Sequence, residues 1–389
     1  MIPRAITPKM VDLLTKFPIL SLTGARQSGK TTLLREQFSD YRYVNLEQAN
    51  IADLARTDIR SFLSLYDNNV IFDEAQRVPD LFSELQVMVD ERRQAPGQFI
   101  LSGSQNFLPM NNITQSLAGR VAIMHLPPLS HMELTAADMM PSTTDEWTWR
   151  GGYPRLYDID IAPEDYFPNY ISTYVERDVR RELGVQKLTE FRTFLTQCAL
   201  HTGELVNYAA LAQGSGVDAK TATGWLSLLE SSFITFRLYP YHRNMGKRLV
   251  KTPKLYFHDT GLAAHLLGID SPEELLFSKF RGPLFENAVI SELVKQYQAQ
   301  GKRPHLYFWR DTNRKEIDLL IEKGGSLRHA IEIKAASSYD SHAFGPISDL
   351  SSQLGLNSTD CAVVYGGQES FNTKFGRLMT VNQLDQLVV

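Results

Sequence analysis

A glycine-rich segment near the amino terminus carries residue types that bind phosphate. Its pattern is G-x-x-x-x-G-K-[ST], and it lies between a predicted strand, Pro18 to Leu22, and a predicted helix, Thr31 to Phe38. In this context the backbone N–H groups of the loop and of the helix N-terminus can surround a phosphate chain. The predicted nucleotide-binding residues are consecutive: Gly24, Ala25, Arg26, Gln27, Ser28, Gly29, Lys30, Thr31 and Thr32.

Two acids that follow a second apolar strand are expected to act together with Lys30 and Thr31. That strand, Val70 to Phe72, ends in Asp73 and Glu74. We expect Lys30 to reach the β- and γ-phosphates, and Thr31 and Asp73 to hold Mg²⁺. Glu74 is placed to orient or deprotonate the attacking water. The pattern predicts Mg and ATP as ligands and ATP hydrolysis as the reaction.

Three further side chains are candidates for the same site. The strand Gln98 to Leu101 leads to Ser104, our first choice for sensing hydrolysis, and to Asn106, the second. Arg120 follows a predicted helix, Ile113 to Gly119, and could stabilise charge on a neighbouring subunit's nucleotide. That role predicts a homo-oligomer in the form of a ring. The alternative is that Arg120 only interacts favourably with the helix C-terminus.

Short apolar strands that alternate with helices must position these residues. Such alternation predicts an α/β fold with a parallel sheet covered by helices on both faces. After the glycine-rich loop, strands are predicted at Tyr41 to Leu46, Val70 to Phe72, Phe99 to Leu101 and Val121 to Leu126, with a helix at Leu81 to Val89.

The motifs together resemble the prokaryotic AAA-type (P-loop) ATPases that carry a C-terminal domain of unknown function. Besides the loop and strand ends, the segments Ser116-Leu-Ala-Gly-Arg120, Gly151-Gly-Tyr-Pro154 and Tyr174-Val-Glu-Arg177-Asp178-Val share the resemblance. It covers nearly the whole chain. It implies an AAA-like parallel sheet, a winged-helix segment and a C-terminal restriction-endonuclease-like α/β domain, and it implies little about the substrate.

The middle of the chain is predicted to be mainly helical. Leu205 to Leu229 contains a helix, a Gly-rich turn and a second helix, and a strand follows at Phe233 to Tyr239. This order is typical of a winged helix. We therefore predict three domains: an ATPase domain at residues 1–150, a helical lid and winged-helix segment at 151–275, and the restriction-endonuclease-like domain at 276–389.

A basic stretch follows the second helix of this segment. No Asp or Glu interrupts its six basic residues, which are Arg237, Arg243, Lys247, Arg248, Lys251 and Lys254. Positive charge beside a winged helix favours contact with nucleic-acid phosphates, and Arg243, Lys247, Arg248 and Lys251 are the predicted contacts with DNA or RNA. The alternative is a solvated loop of ordinary positive charge.

The C-terminal part carries a second set of residues that could do chemistry. Glu332 and Lys334 share one face of a predicted strand, and Asp318 lies on the preceding strand. With Glu286 on a predicted helix, they resemble the PD-(D/E)xK nuclease signature, with Ile317 where the proline often stands. Such a set could hold Mg²⁺ for phosphodiester hydrolysis. Alternatives are a surface ion pair, nucleic-acid binding without cleavage, or a scaffold.

Composition limits the remaining choices. The 389 residues have a net charge of −4, which excludes a uniformly basic nucleic-acid binder. Two cysteines without ligand spacing exclude a disulfide framework and favour a reducing compartment. Without an apolar run of about 18 residues or a signal peptide pattern, we expect a cytoplasmic protein without a membrane partner.

Three hypotheses follow from these residues. The first is an oligomeric ATP-driven machine or switch that acts on nucleic acid. The second is an ATP-gated, Mg-dependent nuclease. The third is an ATP-dependent protein-interaction scaffold without nucleic-acid chemistry. The sequence does not identify the biological pathway, the protein partners, the number of subunits or the choice between DNA and RNA.

Overall fold

The computed structural model describes residues 2–104, 117–175, 187–241, 252–311 and 315–388. The chain divides into two compact units. The first comprises Met1–Leu129 with Ser231–Phe233 and Gln298–Lys302, and the second comprises Ser130–Glu230, Ile234–Tyr297 and Arg303–Val389.

The first unit is built around a five-stranded parallel sheet in the order β2-β3-β4-β1-β5. Its strands are β1 (Ile19–Thr23), β2 (Arg42–Asn45), β3 (Val70–Asp73), β4 (Phe99–Gly103) and β5 (Val121–His125). Its helices are α1 (Thr7–Leu14), α2 (Lys30–Gln37), α3 (Ala49–Thr57), α4 (Ile59–Leu65) and α5 (Asp80–Glu91). The prediction of an α/β fold with a parallel sheet is confirmed.

Alternate residues of the strands form two separate hydrophobic layers, one on each face of the sheet. Phe72 and Leu101 pack in one layer with α4 and α5 side chains such as Phe62 and Leu85. Leu20, Ile71 and Ile100 pack in the other layer with α1 and α2, and its helical members are Met10, Leu14, Leu33 and Leu34. Both faces of the three central strands, β1, β3 and β4, are buried, and these strands are therefore largely apolar, as the sequence indicates.

Strand β4 lies between β1 and β3 in this sheet. β1 leads into the glycine-rich loop, and β3 ends at Asp73. In a parallel sheet the carboxyl ends of neighbouring strands meet at one edge, which is where such folds bind ligands. The strand order therefore places the end of β4, with Ser102 and Ser104, between the loop and the two acids.

The second unit contains an eight-stranded sheet in the order β12-β13-β11-β10-β9-β8-β6-β7. These strands are β6 (Thr235–Pro240), β7 (Lys254–Phe257), β8 (Leu306–Arg310), β9 (Glu316–Lys323), β10 (Ser326–Lys334), β11 (Cys361–Tyr365), β12 (Phe371–Thr373) and β13 (Gly376–Thr380). The two predicted strands that carry Asp318 and Glu332 are present as β9 and β10.

Helices that belong wholly or mainly to the second unit precede and connect these strands. They are α6 (His131–Ala136), α7 (Thr144–Arg150), α8 (Arg155–Asp158), α9 (Pro163–Tyr170), α10 (Leu188–Leu200), α11 (Tyr208–Ser215), α12 (Ala219–Ser231), α13 (Thr260–Leu266), α14 (Pro272–Phe277), α15 (Arg281–Ala299) and α16 (Gly345–Leu354). A π-helix at Ile171–Val175 continues α9.

The predicted helix–turn–helix corresponds to α11 and α12, and an antiparallel pair of strands, β6 and β7, follows it. This pair does not end in an isolated hairpin. β6 also pairs in parallel with β8, so the strands after the two helices are continuous with the C-terminal sheet. The boundary predicted between residues 275 and 276 separates strands of one sheet, and it stays a prediction.

The Gly151-Gly-Tyr-Pro154 motif has a packing explanation inside the second unit. A Cβ atom on Gly151 would lie 2.3 Å from Oδ1 of Asp259, and its φ of +72° favours glycine. The buried Asp259 carboxylate accepts hydrogen bonds from the backbone N–H groups of Gly152 (2.7 Å) and Leu262 (3.1 Å). Asp259 thus joins the motif to the start of α13, which satisfies buried donors at both places.

Candidate nucleotide-binding site and C-terminal charge cluster

The glycine-rich loop joins β1 to α2 and requires glycine at two positions. A Cβ on Gly24 would lie 2.2 Å from the carbonyl oxygen of Leu126, which leaves no room for a side chain. Gly29 has a φ of +94° directly before α2, a conformation that glycine adopts without steric cost. These two constraints turn the chain so that the N-terminus of α2 faces the loop.

The loop contacts the positively charged side chain of Lys30. The buried Lys30 ammonium donates hydrogen bonds to the carbonyl oxygens of Gly24 (2.8 Å) and Ala25 (2.9 Å). The Ser28 hydroxyl is also buried, and it has no hydrogen-bond partner among the described residues. An ammonium group and an orphan hydroxyl in a loop that starts a helix fit an anionic phosphate chain.

Asp73, at the end of β3, accepts hydrogen bonds from four donors. Its Oδ2 accepts from the hydroxyl groups of Thr31 (2.8 Å) and Tyr43 (2.5 Å). Its Oδ1 accepts from the Ser102 hydroxyl and from the Glu74 backbone N–H. The predicted pair of Thr31 and Asp73 therefore lies together. Both side chains offer oxygen atoms, which are the ligands that Mg²⁺ prefers.

Tyr43 is a member of this site that sequence reasoning missed. It lies on β2, and its hydroxyl donates to the same Asp73 oxygen as Thr31. Burial raises the pKa of Tyr43 well above its usual value, and the bond to Asp73 raises it further. The phenol therefore remains a donor at physiological pH. Because β2 carries no motif, only the pairing of β2 with β3 reveals this contact.

Glu74 follows Asp73 in a left-handed backbone conformation, with a φ of +55°. For a residue with a side chain this conformation is uncommon and often marks a functional position. The Glu74 carboxylate accepts hydrogen bonds from the Gln76 amide (2.5 Å) and from the Ser104 hydroxyl (3.2 Å). The structure thus brings Ser104 and Glu74 together, whereas Asn106 lies outside the described residues.

Arg120 has a partner within the first unit. Its Nε and Nη2 atoms donate to the two carboxylate oxygens of Asp90, each at 2.7 Å, and the guanidinium lowers the pKa of that carboxyl. Residues 117–120 form a turn, and most of the helix predicted before them lies outside the described residues. Its action on a neighbouring subunit stays a prediction, and such action requires release from Asp90.

The second unit contains a cluster of ionisable side chains from its sheet and from α15, which we call the C-terminal charge cluster. On β9 and β10, the Lys334 ammonium lies 2.6 Å from Oε2 of Glu332 and 3.4 Å from Oδ2 of Asp318. Asp318 also accepts the backbone N–H of Ile333 at 2.8 Å. The predicted Asp318, Glu332 and Lys334 are therefore brought together.

Glu286, the fourth predicted member, lies on α15 in a different ion pair. Its Oε1 is 3.0 Å from the Lys254 ammonium and accepts the Tyr256 hydroxyl at 2.5 Å. The same ammonium lies 2.5 Å from Oε1 of Glu316. Lys254 and Tyr256, from β7, complete the C-terminal charge cluster, which comprises Lys254, Tyr256, Glu286, Glu316, Asp318, Glu332 and Lys334.

Burial and neighbouring charges shift the pKa values of several members of this cluster. Burial raises the pKa of Glu332 to about 8, an effect that the Asp318 charge strengthens and Lys334 opposes. Burial also raises the pKa of Glu286, against the effect of Lys254. Burial alone would lower the pKa of Lys334, but the charges of Asp318 and Glu332 outweigh it and raise that pKa. One carboxylate oxygen of Glu332 is buried without a hydrogen-bond partner among the described residues.

The cluster is not arranged as a set of metal ligands. Within the described ranges, no three side chains of His, Cys, Asp or Glu lie together in a way that could hold a metal ion. Lys254 and Lys334 each contact two carboxylates, so ammonium groups lie where a cation would bind. The predicted metal ligands Glu286, Asp318 and Glu332 stay a prediction.

The basic stretch is described only at its two ends. Arg243, Lys247, Arg248 and Lys251 lie outside the described residues. At one end, the Arg237 guanidinium donates to both carboxylate oxygens of Glu230. At the other end, Lys254 is buried in the C-terminal charge cluster. Neither end is the solvated positive charge that the sequence indicates, because Glu230 pairs with Arg237, and Glu286 and Glu316 pair with Lys254.

Comparisons with known proteins divide the chain into three parts. Family models match an AAA domain at residues 16–135, a domain of unknown function (DUF8612) at 142–273, and a domain of unknown function (DUF4143) at 281–384. The ranges follow the order of the three predicted domains. In the part of the chain that is described, no helix has the length and apolar character needed to cross a membrane.

Two solved structures are similar to parts of the chain. The Walker-type ATPase PABY2304 of Pyrococcus abyssi is 14% identical with a TM-score of 0.45, covering 68% of this chain and 96% of that one. AMPPCP-bound DnaA from Aquifex aeolicus is 12% identical with a TM-score of 0.30, covering 58% and 85%. Similarity at these TM-scores is too weak to identify a function.

Two curated relatives are similar over most of the chain. The uncharacterized protein Rv2008c of Mycobacterium tuberculosis (strain ATCC 25618 / H37Rv) is 33% identical over 362 residues, covering 92% of this chain and 78% of that protein. The uncharacterized protein Mb2031c of Mycobacterium bovis (strain ATCC BAA-935 / AF2122/97) has the same identity and coverage. The chain belongs to the same family as these mycobacterial proteins, and its first unit is a P-loop domain of the AAA type.

Proposed function

We propose that the protein is an ATPase that hydrolyses Mg-ATP and works as a homo-oligomer on nucleic acid. The observation that carries ATP hydrolysis is the meeting of Lys30, Asp73 and Glu74 at one edge of the parallel sheet. Each has the chemical character that phosphoryl transfer to water requires: a cation, an oxygen ligand and a base.

The phosphate chain would bind through Lys30 and the loop. The Lys30 ammonium contacts carbonyl oxygens of Gly24 and Ala25, which are weaker acceptors than anionic phosphate oxygens. Exchange of carbonyls for phosphate therefore favours binding. Thr31 and Asp73 would hold Mg²⁺, which neutralises charge on the phosphates when it is bound. The hydroxyl of Tyr43 keeps the Asp73 carboxylate in place.

Glu74 would orient the attacking water and accept its proton. Its contacts with Gln76 and Ser104 fix the carboxylate at the sheet edge. Because Ser104 directly follows β4, next to the strand that carries the loop, a change at the γ-phosphate can reach Glu74 through this hydroxyl. This path supports the role of Ser104 in sensing hydrolysis.

Glu74→Gln should bind ATP like the wild type and lose turnover by about 10²- to 10⁴-fold, because an amide cannot accept the proton from water. Lys30→Ala should lose ATP binding instead. Binding is measured with a fluorescent ATP analogue and turnover by phosphate release. Glu91→Gln, an exposed glutamate of α5, is the control and should behave like the wild type. Full turnover in Glu74→Gln would reject Glu74 as the base.

The oligomeric arrangement is proposed from Arg120. Arg120→Ala and Glu74→Gln should each be inactive alone, but an equimolar mixture should regain part of the activity. In a mixed oligomer, Arg120 of a Glu74→Gln subunit can face the intact Glu74 of an Arg120→Ala subunit. Phosphate release from the mixture measures this. If Arg120 serves only as the partner of Asp90, mixing restores nothing and the ring proposal fails.

The nucleic-acid partner is proposed from the four basic residues between β6 and β7. Neutralising four phosphates gives a slope of about −3.6 for log affinity against log salt. Replacing Arg243, Lys247, Arg248 and Lys251 with Ala should flatten this slope, measured by fluorescence anisotropy with duplex DNA and RNA. The control replaces four exposed basic residues elsewhere, Lys302, Arg303, Lys323 and Lys374. Equal slopes in both variants would show that nucleic acid binds elsewhere on the protein. If the wild type binds neither DNA nor RNA, the protein-interaction scaffold is favoured.

A second function, Mg-dependent nuclease activity, is proposed from the C-terminal charge cluster. Asp318, Glu332 and Lys334 share one sheet face, and one oxygen of Glu332, which has no hydrogen-bond partner among the described residues, is available to a ligand. The order α15-β8-β9-β10-α16-β11 is consistent with the restriction-endonuclease-like domain that the sequence resemblance implies. A metal ion would have to replace the ammonium groups of the cluster.

Glu332→Gln should abolish Mg²⁺- or Mn²⁺-dependent cleavage and leave ATP turnover unchanged, because the two sites use different residues. Glu322→Gln, a buried glutamate of β9 outside the cluster, is the matched control. Cleavage is assayed on single-stranded, duplex and branched DNA and RNA, with and without ATP. If nothing is cut, Mn²⁺ titration of the wild type and Asp318→Asn decides the matter: equal affinity removes the metal site.

A further inference from the structure

Arg4 is a buried charged residue that lies before α1 and belongs to none of the motifs. Its guanidinium donates two hydrogen bonds to backbone carbonyl groups. One acceptor is Ser28, inside the glycine-rich loop, at 2.7 Å, and the other is Pro127, just after β5, at 2.6 Å. A single side chain thus joins three separate segments of the first unit.

The Ser28 contact reaches the loop through its carbonyl group. A phosphate chain is bound by the backbone N–H groups of such a loop, so the carbonyl groups must find other donors. The Ser28 N–H donates a hydrogen bond to the Ala25 carbonyl at 3.3 Å, and the Ser28 carbonyl accepts its hydrogen bond from Arg4. By holding the carbonyl of Ser28, Arg4 fixes the orientation of the peptide unit directly before Gly29 and α2.

The Pro127 contact holds the loop from another side. The backbone at Leu126, the residue before Pro127, lies so close to Gly24 that no side chain fits there. Neighbouring residues after β5 therefore restrain the loop at two points. Leu126 packs against Gly24, and Pro127 is joined to Ser28 through Arg4. If Arg4 were removed, Ser28 and Pro127 would both lose a charge-assisted donor.

The planar guanidinium suits this position in a way that lysine does not. Its donors form a fixed fork and can serve two carbonyl groups at once, whereas an ammonium is a flexible point charge. Bonds from charged donors are also stronger than those between neutral groups. The geometry therefore depends on arginine itself and not only on positive charge.

We infer that Arg4 is a positioning residue of the nucleotide site, which holds the phosphate-binding loop in the shape that accepts the phosphate chain. This inference rests on the proposed ATP site and concerns binding. It requires no contact between Arg4 and the nucleotide. It adds the segment before α1 to the parts of the chain on which nucleotide affinity depends.

The test compares Arg4→Lys with the wild type in the full-length chain. We expect the Kd values for ATP, ADP and inorganic tripolyphosphate to rise by about tenfold, which corresponds to the loss of one charge-assisted hydrogen bond. All three ligands should be affected alike, because they share the phosphate chain. Turnover at saturating ATP should change much less than the Kd. Titration calorimetry gives the Kd values.

A matched control separates positioning from general stability. Met10→Ala removes a fully buried side chain of α1, in the same part of the chain, and changes none of the residues proposed to bind the nucleotide. It should lower the melting temperature at least as much as Arg4→Lys and leave the three Kd values unchanged. Wild-type Kd values in Arg4→Lys, or an equal rise in Met10→Ala, would overturn the inference.

The outcomes also separate this inference from the proposed function. If the wild type binds ATP tightly but does not hydrolyse it, the proposed hydrolysis fails and the role of Arg4 stands. If Arg4→Lys binds and hydrolyses like the wild type, the inference fails and the proposed function stands. If the wild type binds none of the three ligands, both fail.

Discussion

The candidate nucleotide site of the first unit depends on one carboxylate, that of Asp73. Its four donors come from α2, β2, β4 and the turn after β3, so a single side chain connects four elements at the sheet edge. A buried carboxylate must be hydrogen-bonded because desolvation otherwise costs several kcal/mol. The strand order satisfies this need, since β3 lies between β2 and β4.

Where the predicted chemistry is local, the sequence was sufficient to indicate which residues of this candidate site lie together. The loop, Lys30 and Thr31 lie within eight residues, and the strand before Asp73 is apolar on both faces. The contacts that complete the site are not local. Tyr43 and Arg4 reach it through strand pairing and backbone carbonyl groups, which no residue pattern in one sequence records. Asp73 lies 30 positions from Tyr43 in the sequence, and Ser28 lies 24 positions from Arg4.

In the second unit, too, the sequence predicts local spacing but not the contacts between distant segments. The spacing of Glu332 and Lys334 was sufficient to predict that they share one strand face, because the period of a strand is fixed. Lys254 was assigned by the charge of its sequence neighbours. Its actual neighbours, Glu286 and Glu316, come from α15 and β9, and they become adjacent only because β6 and β7 join the C-terminal sheet. Tertiary pairing, not local composition, decides the role of a charge.

This arrangement also constrains any chemistry in the second unit. Four carboxylates, two ammonium groups and the guanidinium of Arg310, which lies 3.4 Å from Oε2 of Glu316, share one partly buried region, so one negative charge would remain if every acid were ionised. The raised pKa of Glu332 and Glu286 is one response to that excess, because a proton neutralises a buried acid. A divalent cation is the other response, and it would have to separate Lys254 or Lys334 from its carboxylates. The chemical identity of this region therefore depends on a competition between protons, lysines and metal ions for the same oxygen atoms.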